Sequence, residues 1–171
     1  MRMEKKMNNT IEKLILEDHK PLKKLIKIMK DEKSDYSEKK AAFDEFAPLL
    51  MAHAKAEEQA LYSRLINEGD LREKGLEGQV EHNLADQMVT DSQKTHDEDV
   101  LGAKITVLAE MVEHHIEEEE DEILPEFKKK TDSDVRVEIG EEYLDLKDQI
   151  IRDRISLPKK SAKHSDVVHW R

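Results

Sequence analysis

The chain contains no cysteine among its 171 residues. That absence removes disulfide frameworks, zinc–thiolate sites, iron–sulfur ligation and thiol nucleophiles together, so any metal must be held by nitrogen and oxygen. Aromatic residues are scarce at 4%, which leaves a core to be built from aliphatic and methionine side chains on amphipathic elements. Glycine and proline number only five and four; punctuation this sparse favours a few long helices over the many turns of a sandwich or barrel. No run approaches the roughly 20 apolar residues of a membrane span, and the basic first residues are not followed by an apolar h-region. We therefore expect a soluble, cytoplasmic protein.

What the chain has in abundance is charge. Charged residues make up 40% against 37% hydrophobic, and 40 acidic against 29 basic side chains give a formal net charge of -11. Such a chain repels phosphate backbones and anionic lipid alike, which argues against nucleic acid and membrane as partners. The length suits one compact domain.

The few breaks cut the chain into helical segments. The first starts near residues 8–10 and ends around 30–33, with Ile15, His19, Leu22, Ile26 and Met29 on one face. Pro21 either kinks this helix or starts a new one, because it lacks an amide proton and clashes with the preceding turn. The second opens at Ser37 as N-cap and runs to about Asn67, with Phe43, Phe46, Leu50, His53, Glu57 and Leu61 aligned. The third, residues 71–95, aligns Gly75, Gly78, His82, Asp86 and Val89, with Leu84 and Met88 beside them. The fourth is capped within residues 97–99 and closed by Pro125, with Leu101, Ile105, Leu108, Val112, His115, Glu119 and Ile123 in a stripe. A fifth, shorter helix is expected over residues 137–154, followed by a polar tail to residue 171. Four helices of this length joined by short links predict an all-α, up-down-up-down four-helix bundle over residues 8–130, with the additional C-terminal helix and tail in 131–171.

Four of the eight histidines, His19, His53, His82 and His115, lie on the apolar stripes of four different helices, so an antiparallel bundle can bring all four to one level of its core. His53 and His115 are each followed four residues later by a glutamate on the same face, Glu57 and Glu119. Around them the pattern H-x-x-x-E-E-x-x-aliphatic-x occurs twice, at residues 53–62 and 115–124. His114 with Glu118 fits H-x-x-x-E as well, but aligns with Met111 and Val107 and not with the richer stripe. A single stripe histidine is ordinarily a hydrogen-bonded core residue. Four of them with two carboxylates in phase are different, because burying that set without a cation costs several kcal/mol in desolvation. Glu58, Glu120 and the rest of the acidic run from 117 to 122 read as solvated helix surface, His96, His164 and His169 as surface or tail, and Met29, Met51, Met88 and Met111 as core filler.

Imidazole and carboxylate without thiolate suit iron or manganese, and also zinc. Six protein ligands on one ion would leave no position for a substrate; shared between two ions they leave open positions, so a di-iron centre is the economical reading.

The motifs D-H at Asp18-His19, H-x-x-x-E-E at residues 53–58, E-H at Glu81-His82 and H-x-x-x-E-E-x-x-I-L-P at residues 115–125 together resemble the hemerythrin-like HHE cation-binding family, over about residues 10–130. The resemblance implies two non-haem Fe ions bridged by an oxo or hydroxo group, with His19, His53, His82 and His115 as terminal ligands and Glu57 and Glu119 as bridging carboxylates. Manganese or zinc is the lesser expectation. The oxygen-carrying members use a fifth histidine one turn from the helix-three ligand, where this chain has Gly78 and Asp86, and they place an aspartate five residues after the fourth-helix histidine. In these departures the chain is similar to bacterial and sensor-type members, with Asp86 or Glu81 available as an extra ligand. The expected function is binding of O2, or NO, for oxygen binding, storage or sensing. The alternative is a di-iron stress-response protein that repairs iron centres or breaks down peroxide, and a third reading is a module whose folding iron controls.

Overall fold

The structure, a computed structural model, describes residues 9–67 and 70–156. All regular structure among them is helical: α1 (Ile11–Lys30), α2 (Tyr36–Glu57), α3 (Ser63–Asn67), α4 (Arg72–Gln93), α5 (Glu98–Glu118), α6 (Leu124–Lys130) and α7 (Ser133–Ser156). α2 passes into α3, and α5 into α6, through single π turns at Glu58–Tyr62 and Glu119–Ile123. The described residues therefore form five rods. None of these helices is long and apolar enough to cross a membrane. The expected tail beyond residue 156, with His164 and His169, lies outside the described residues.

Local chemistry fixes the helix ends, in places differently from the sequence expectation. The cap of α2 lies two residues before the expected one: Asp35 is the N-cap, its side chain accepting from the Glu38 amide while the Glu38 carboxylate accepts from the Asp35 amide. This reciprocal box satisfies two of the helix's free donors, where Ser37 alone would satisfy one. Asp97 caps α5 as expected, accepting from the Val100 amide. Pro21 starts no new helix; α1 runs through it. The ring sits on the exposed side of α1, where water can satisfy the carbonyl that the missing amide leaves free. Nor does Pro125 end the fourth segment: it stands in the first turn of α6, a position that needs no amide donor. α7 starts four residues earlier than expected, at Ser133.

The apolar core comes in two parts. One joins Leu22, Ile26 and Met29 of α1, Phe43, Phe46 and Leu50 of α2, Ala85 and Val89 of α4, and Leu101, Ile105 and Leu108 of α5. The other joins Ile11 and Ile15, Ala56 to Leu65 in part, Ile123, Leu124 and Phe127, and Ile139 and Tyr143 of α7. Each of α1, α2 and the continuous α5–α6 rod crosses from one part to the other, and the residues at the crossing are the polar ones: His19, His53 with Glu57, and His115 with Glu119. His82 of α4 joins them. Met29 is fully buried and Met88 and Met111 pack against the first part. Leu84, expected beside the stripe of α4, faces solvent at 48% exposure, and Ala85 takes the inward position.

α7 packs along α1, α2 and the first π turn. Its N-terminal half is held by Arg136, which donates to the nearly buried Glu12 of α1. Gly140 lies where a Cβ would collide with the Asn9 carbonyl, so the chain ahead of α1 can approach α7 only at a residue without a side chain.

Pro21→Ala restores the missing helical amide at an exposed site. It is expected to raise the unfolding free energy in urea by up to about 3 kcal/mol; an unchanged or lower value would show that the proline ring itself supports the packing of α1.

Candidate metal centre

The six side chains singled out in the sequence meet in one buried layer between the two halves of the core. Glu57 and Glu119 have no exposed surface, and His19, His53, His82 and His115 are all buried. His19 Nε2 lies 3.2 Å from Glu119 Oε2, and His115 Nε2 lies 3.3 Å from Glu119 Oε1. On the other carboxylate, His53 Nε2 is 3.4 Å and His82 Nε2 is 3.6 Å from Glu57 Oε2. The donors form two overlapping groups, Glu57, His82, His115 and Glu119 in one and His19, His53 and Glu119 in the other, each with its ligand atoms within 4.8 Å of one another.

All four histidines turn Nε2 inward and Nδ1 outward, each Nδ1 facing a polar side chain. His19 Nδ1 is 2.9 Å from Glu120 Oε1, and His115 Nδ1 is 2.6 Å from Glu81 Oε2. His53 Nδ1 is 2.8 Å from the Tyr143 hydroxyl, which itself donates to Asp18 Oδ2 at 2.5 Å. His82 Nδ1 faces Glu58 Oε1 at 3.6 Å. A carboxylate only accepts, and the Tyr143 oxygen has already used its proton on Asp18, so the imidazole Nδ1 is the donor in these three bonds. At His19 and His53 the proton is thereby held on Nδ1 and the Nε2 lone pair is left for the interior, the tautomer a metal ligand needs, whereas His115 Nε2 lies 2.8 Å from His82 Nε2 and a proton is held between those two nitrogens.

This outer ring corrects the reading of Glu58 and Glu120 as solvated surface: their side chains are only 18% and 23% exposed. The reason is geometric. In H-x-x-x-E-E the second glutamate lies one residue round the helix from the first, toward the neighbouring helix, and there it meets that helix's histidine. Glu81 stands with the outer groups, bonded to the far side of His115, and Asp86 is half-buried and belongs to neither donor group. His96 is exposed, as expected.

Two tyrosines of the cluster were not anticipated. Tyr62, fully buried, donates to Glu119 Oε1 at 2.5 Å and stacks near His82 and His115, with ring centroids 5.0 and 6.3 Å away. The π turn brings it there: the Ser63 amide bonds to the Glu58 carbonyl five residues back, which rotates the following residues so that Tyr62, and not only Leu61, faces inward. Gly78 makes the room, because a Cβ at that position would lie 2.6 Å from the Tyr62 hydroxyl oxygen. Tyr143 arrives from α7; its spacing of four from the buried Ile139 was the available signal.

The electrostatics describe a site short of positive charge. Burial, with the charge of Glu119 added, pushes the Glu57 carboxyl well above its usual range. Burial would raise Glu119 too, but His115 and His19 outweigh it and hold this carboxyl low. Burial would lower His115; the Glu119, Glu81 and Glu57 carboxylates override that and keep it charged. Burial dominates at His53, lowered to about 4, and also lowers His82. Protein groups alone leave Glu57 Oε1 and Oε2, Glu119 Oε2 and His19 Nε2 buried without a hydrogen-bond partner. Orphaned buried acceptors on this scale are rare in folded proteins. The donor set, four imidazoles and two carboxylates converging in a buried layer, fits divalent cations of the iron, manganese and zinc type, which would displace the proton held at His115.

Two outcomes test this geometry. Glu120→Ala removes the partner of His19 Nδ1 and is expected to weaken cation binding about 10- to 100-fold in chelator competition, with helicity unchanged; wild-type affinity would remove Glu120 from the site. Burial would raise the Asp18 carboxyl, but hydrogen bonds from His53, Lys147 and Tyr143 outweigh it and hold it well below its ordinary 3.8. A carboxylate depressed on folding stabilises above its unfolded pKa and loses that contribution as pH falls. In metal-free protein, the stability deficit of Asp18→Asn is therefore full above about pH 4 and shrinks below it; a deficit constant from pH 6 to 3 would contradict this.

Comparison with known proteins agrees with the geometry. A search of curated proteins and a search of solved structures each gave no match. The family model described as the hemerythrin HHE cation binding domain matches residues 10–127, a span that contains all six convergent side chains and ends at the last buried residue of α6. The chain is a member of the hemerythrin HHE cation-binding domain family.

Proposed function

We propose that the chain binds two non-haem iron ions at this layer and uses them to bind O2, or NO, for storage or sensing. The observation that carries the reading is the pair of overlapping donor groups that share Glu119 and leave Glu57 with both oxygens unpartnered. Two cations would account for the orphaned Glu57 and Glu119 oxygens and for His19 Nε2, with His19 and His53 on one, His82 and His115 on the other, and Glu57 and Glu119 between them. Iron ions held this way supply one-electron chemistry toward a diatomic ligand. The residues of the chain orient the imidazoles through Nδ1, exclude water through the two halves of the core, and hold a proton at the Tyr62 hydroxyl against Glu119. In this reading the long helices form an up-down-up-down four-helix bundle over residues 8–130, and α7 braces it through Tyr143. Manganese or zinc in the same donors is the lesser alternative, and the ligand class makes a cytoplasmic protein the natural setting.

One observation favours the second reading, peroxide breakdown or repair of iron centres. Tyr62 places a buried proton donor 2.5 Å from Glu119 Oε1, and cleavage of an oxygen–oxygen bond consumes protons, whereas simple uptake of a diatomic does not.

Protein produced in iron-supplemented medium is expected to carry about two irons per chain by elemental analysis, the occupancy implied by the donor count. His53→Ala and His115→Ala are each expected to lower it. Zero or one metal, or content unchanged in both variants, would defeat the two-ion reading. Slow oxidation of the reduced protein in air supports binding, while rapid turnover of added hydrogen peroxide that falls in Tyr62→Phe supports the enzyme.

A further inference from the structure

The second H-x-x-x-E register of α5, His114 with Glu118, is not absorbed by the buried layer. It points outward, and the structure brings Glu81 of α4 to it: one ligand atom from each of Glu81, His114 and Glu118 lies within 4.8 Å of the others. His114 is 67% exposed, Glu81 26% and Glu118 28%. His114 Nε2 and Glu118 Oε1 stand 3.8 Å apart, too far for a hydrogen bond. The three line a surface groove of about 480 Å3 with Glu77, Leu76 and Val80.

We propose that Glu81, His114 and Glu118 form a second, solvent-facing site for a divalent cation, and that it delivers ions to the buried layer. Three features carry this. The donor set is mixed, one imidazole and two carboxylates, and three protein ligands leave the remaining positions of an octahedral ion to water, as a transfer site requires. Leu76 and Val80 form an apolar flank of the groove, so its polar lining is confined to the imidazole and the carboxylates. Most directly, Glu81 belongs to both places: its Oε2 accepts from His115 Nδ1 at 2.6 Å, while its carboxylate also completes the outer triad. An ion on the triad is thus separated from the buried donors by the width of one imidazole ring, since His115 presents Nδ1 to Glu81 and Nε2 to Glu119. The surface around it is acidic, with Glu117 and Asp121 exposed on the same stretch of chain, and a net charge of -11 raises the local concentration of cations. Binding at the triad stands on its own geometry; the delivery role rests on the proposed buried centre.

The test uses the full chain as purified and Co2+ as probe, in a calorimetric titration. His114→Ala and Glu118→Gln are each expected to weaken one equivalent of Co2+ binding by about tenfold or more, while Glu122→Gln, an exposed acid paired with Lys74, leaves it unchanged. Equal Co2+ binding in wild type and both triad variants would overturn the site, as would an equal loss in Glu122→Gln. For delivery, anaerobic Fe2+ uptake by metal-free protein is followed in time. The triad variants are expected to fill about tenfold more slowly, to the same final content; an unchanged rate would overturn the delivery role. His53→Ala separates the two readings, because lowered final iron with normal Co2+ binding identifies two sites. Unlowered iron in His53→Ala would defeat the buried centre while the Co2+ titration still decides the triad.

Discussion

Two glutamates with no exposed surface, set among four buried imidazoles, are the constraint on which the rest of the molecule depends. Ionised carboxylates taken out of water cost several kcal/mol each unless charge is supplied beside them. The chain supplies too little of it: Glu119 is held low by His115 and His19, but Glu57 is left raised and without a partner. A core of this design is complete only with cations in it. The apolar residues are accordingly divided into two halves on either side of the polar layer.

The layer is held in shape from outside. Glu120, Glu81 and the Tyr143–Asp18 pair fix three of the imidazoles through Nδ1, and each lies on a different helix from the histidine it orients. Asp18 of α1 is in turn gripped by Lys147 of α7, whose Nζ is 2.5 Å from both carboxylate oxygens. The helix that follows the matched domain is thereby tied to the geometry of His53, so an element distant in sequence bears on a donor in α2. The two π turns act from within the rods. One begins just after Glu57 and the other at Glu119, and each shifts the helical phase by a residue, which admits Tyr62 to the layer after Glu57 and Leu124 to the part of the core that holds Ile11 and Tyr143 after Glu119.

Much of the site was legible because its signal is local. H-x-x-x-E places two donors on one face by helical geometry alone, and its repetition at residues 53–58 and 115–120 marked the register that the structure brings inward. The second glutamates were misread because solvation of a helix flank depends on which neighbour lies against it. Asp86 misled for a similar reason: position 85 and position 86 both lie near the stripe, and only the packing of α4 against α5 selects Ala85. Pro21 and Pro125 looked like breaks because proline removes a donor, and both are tolerated, Pro21 because it faces solvent that can satisfy the freed carbonyl and Pro125 because it stands in a first turn.

Sequence by itself determined the helical class, the absence of sulfur ligands, and the identity of six nitrogen- and oxygen-bearing side chains able to share one layer, since composition and a 3.6-residue period act within each helix. Tertiary structure decided what faces those side chains from other helices: the carboxylates on Nδ1, Tyr62 over Glu119, Tyr143 from α7, and Glu81 beside His114 and Glu118. These are contacts between segments 30 to 130 residues apart along the chain, and no local pattern encodes a distance that only the packing of whole helices can close.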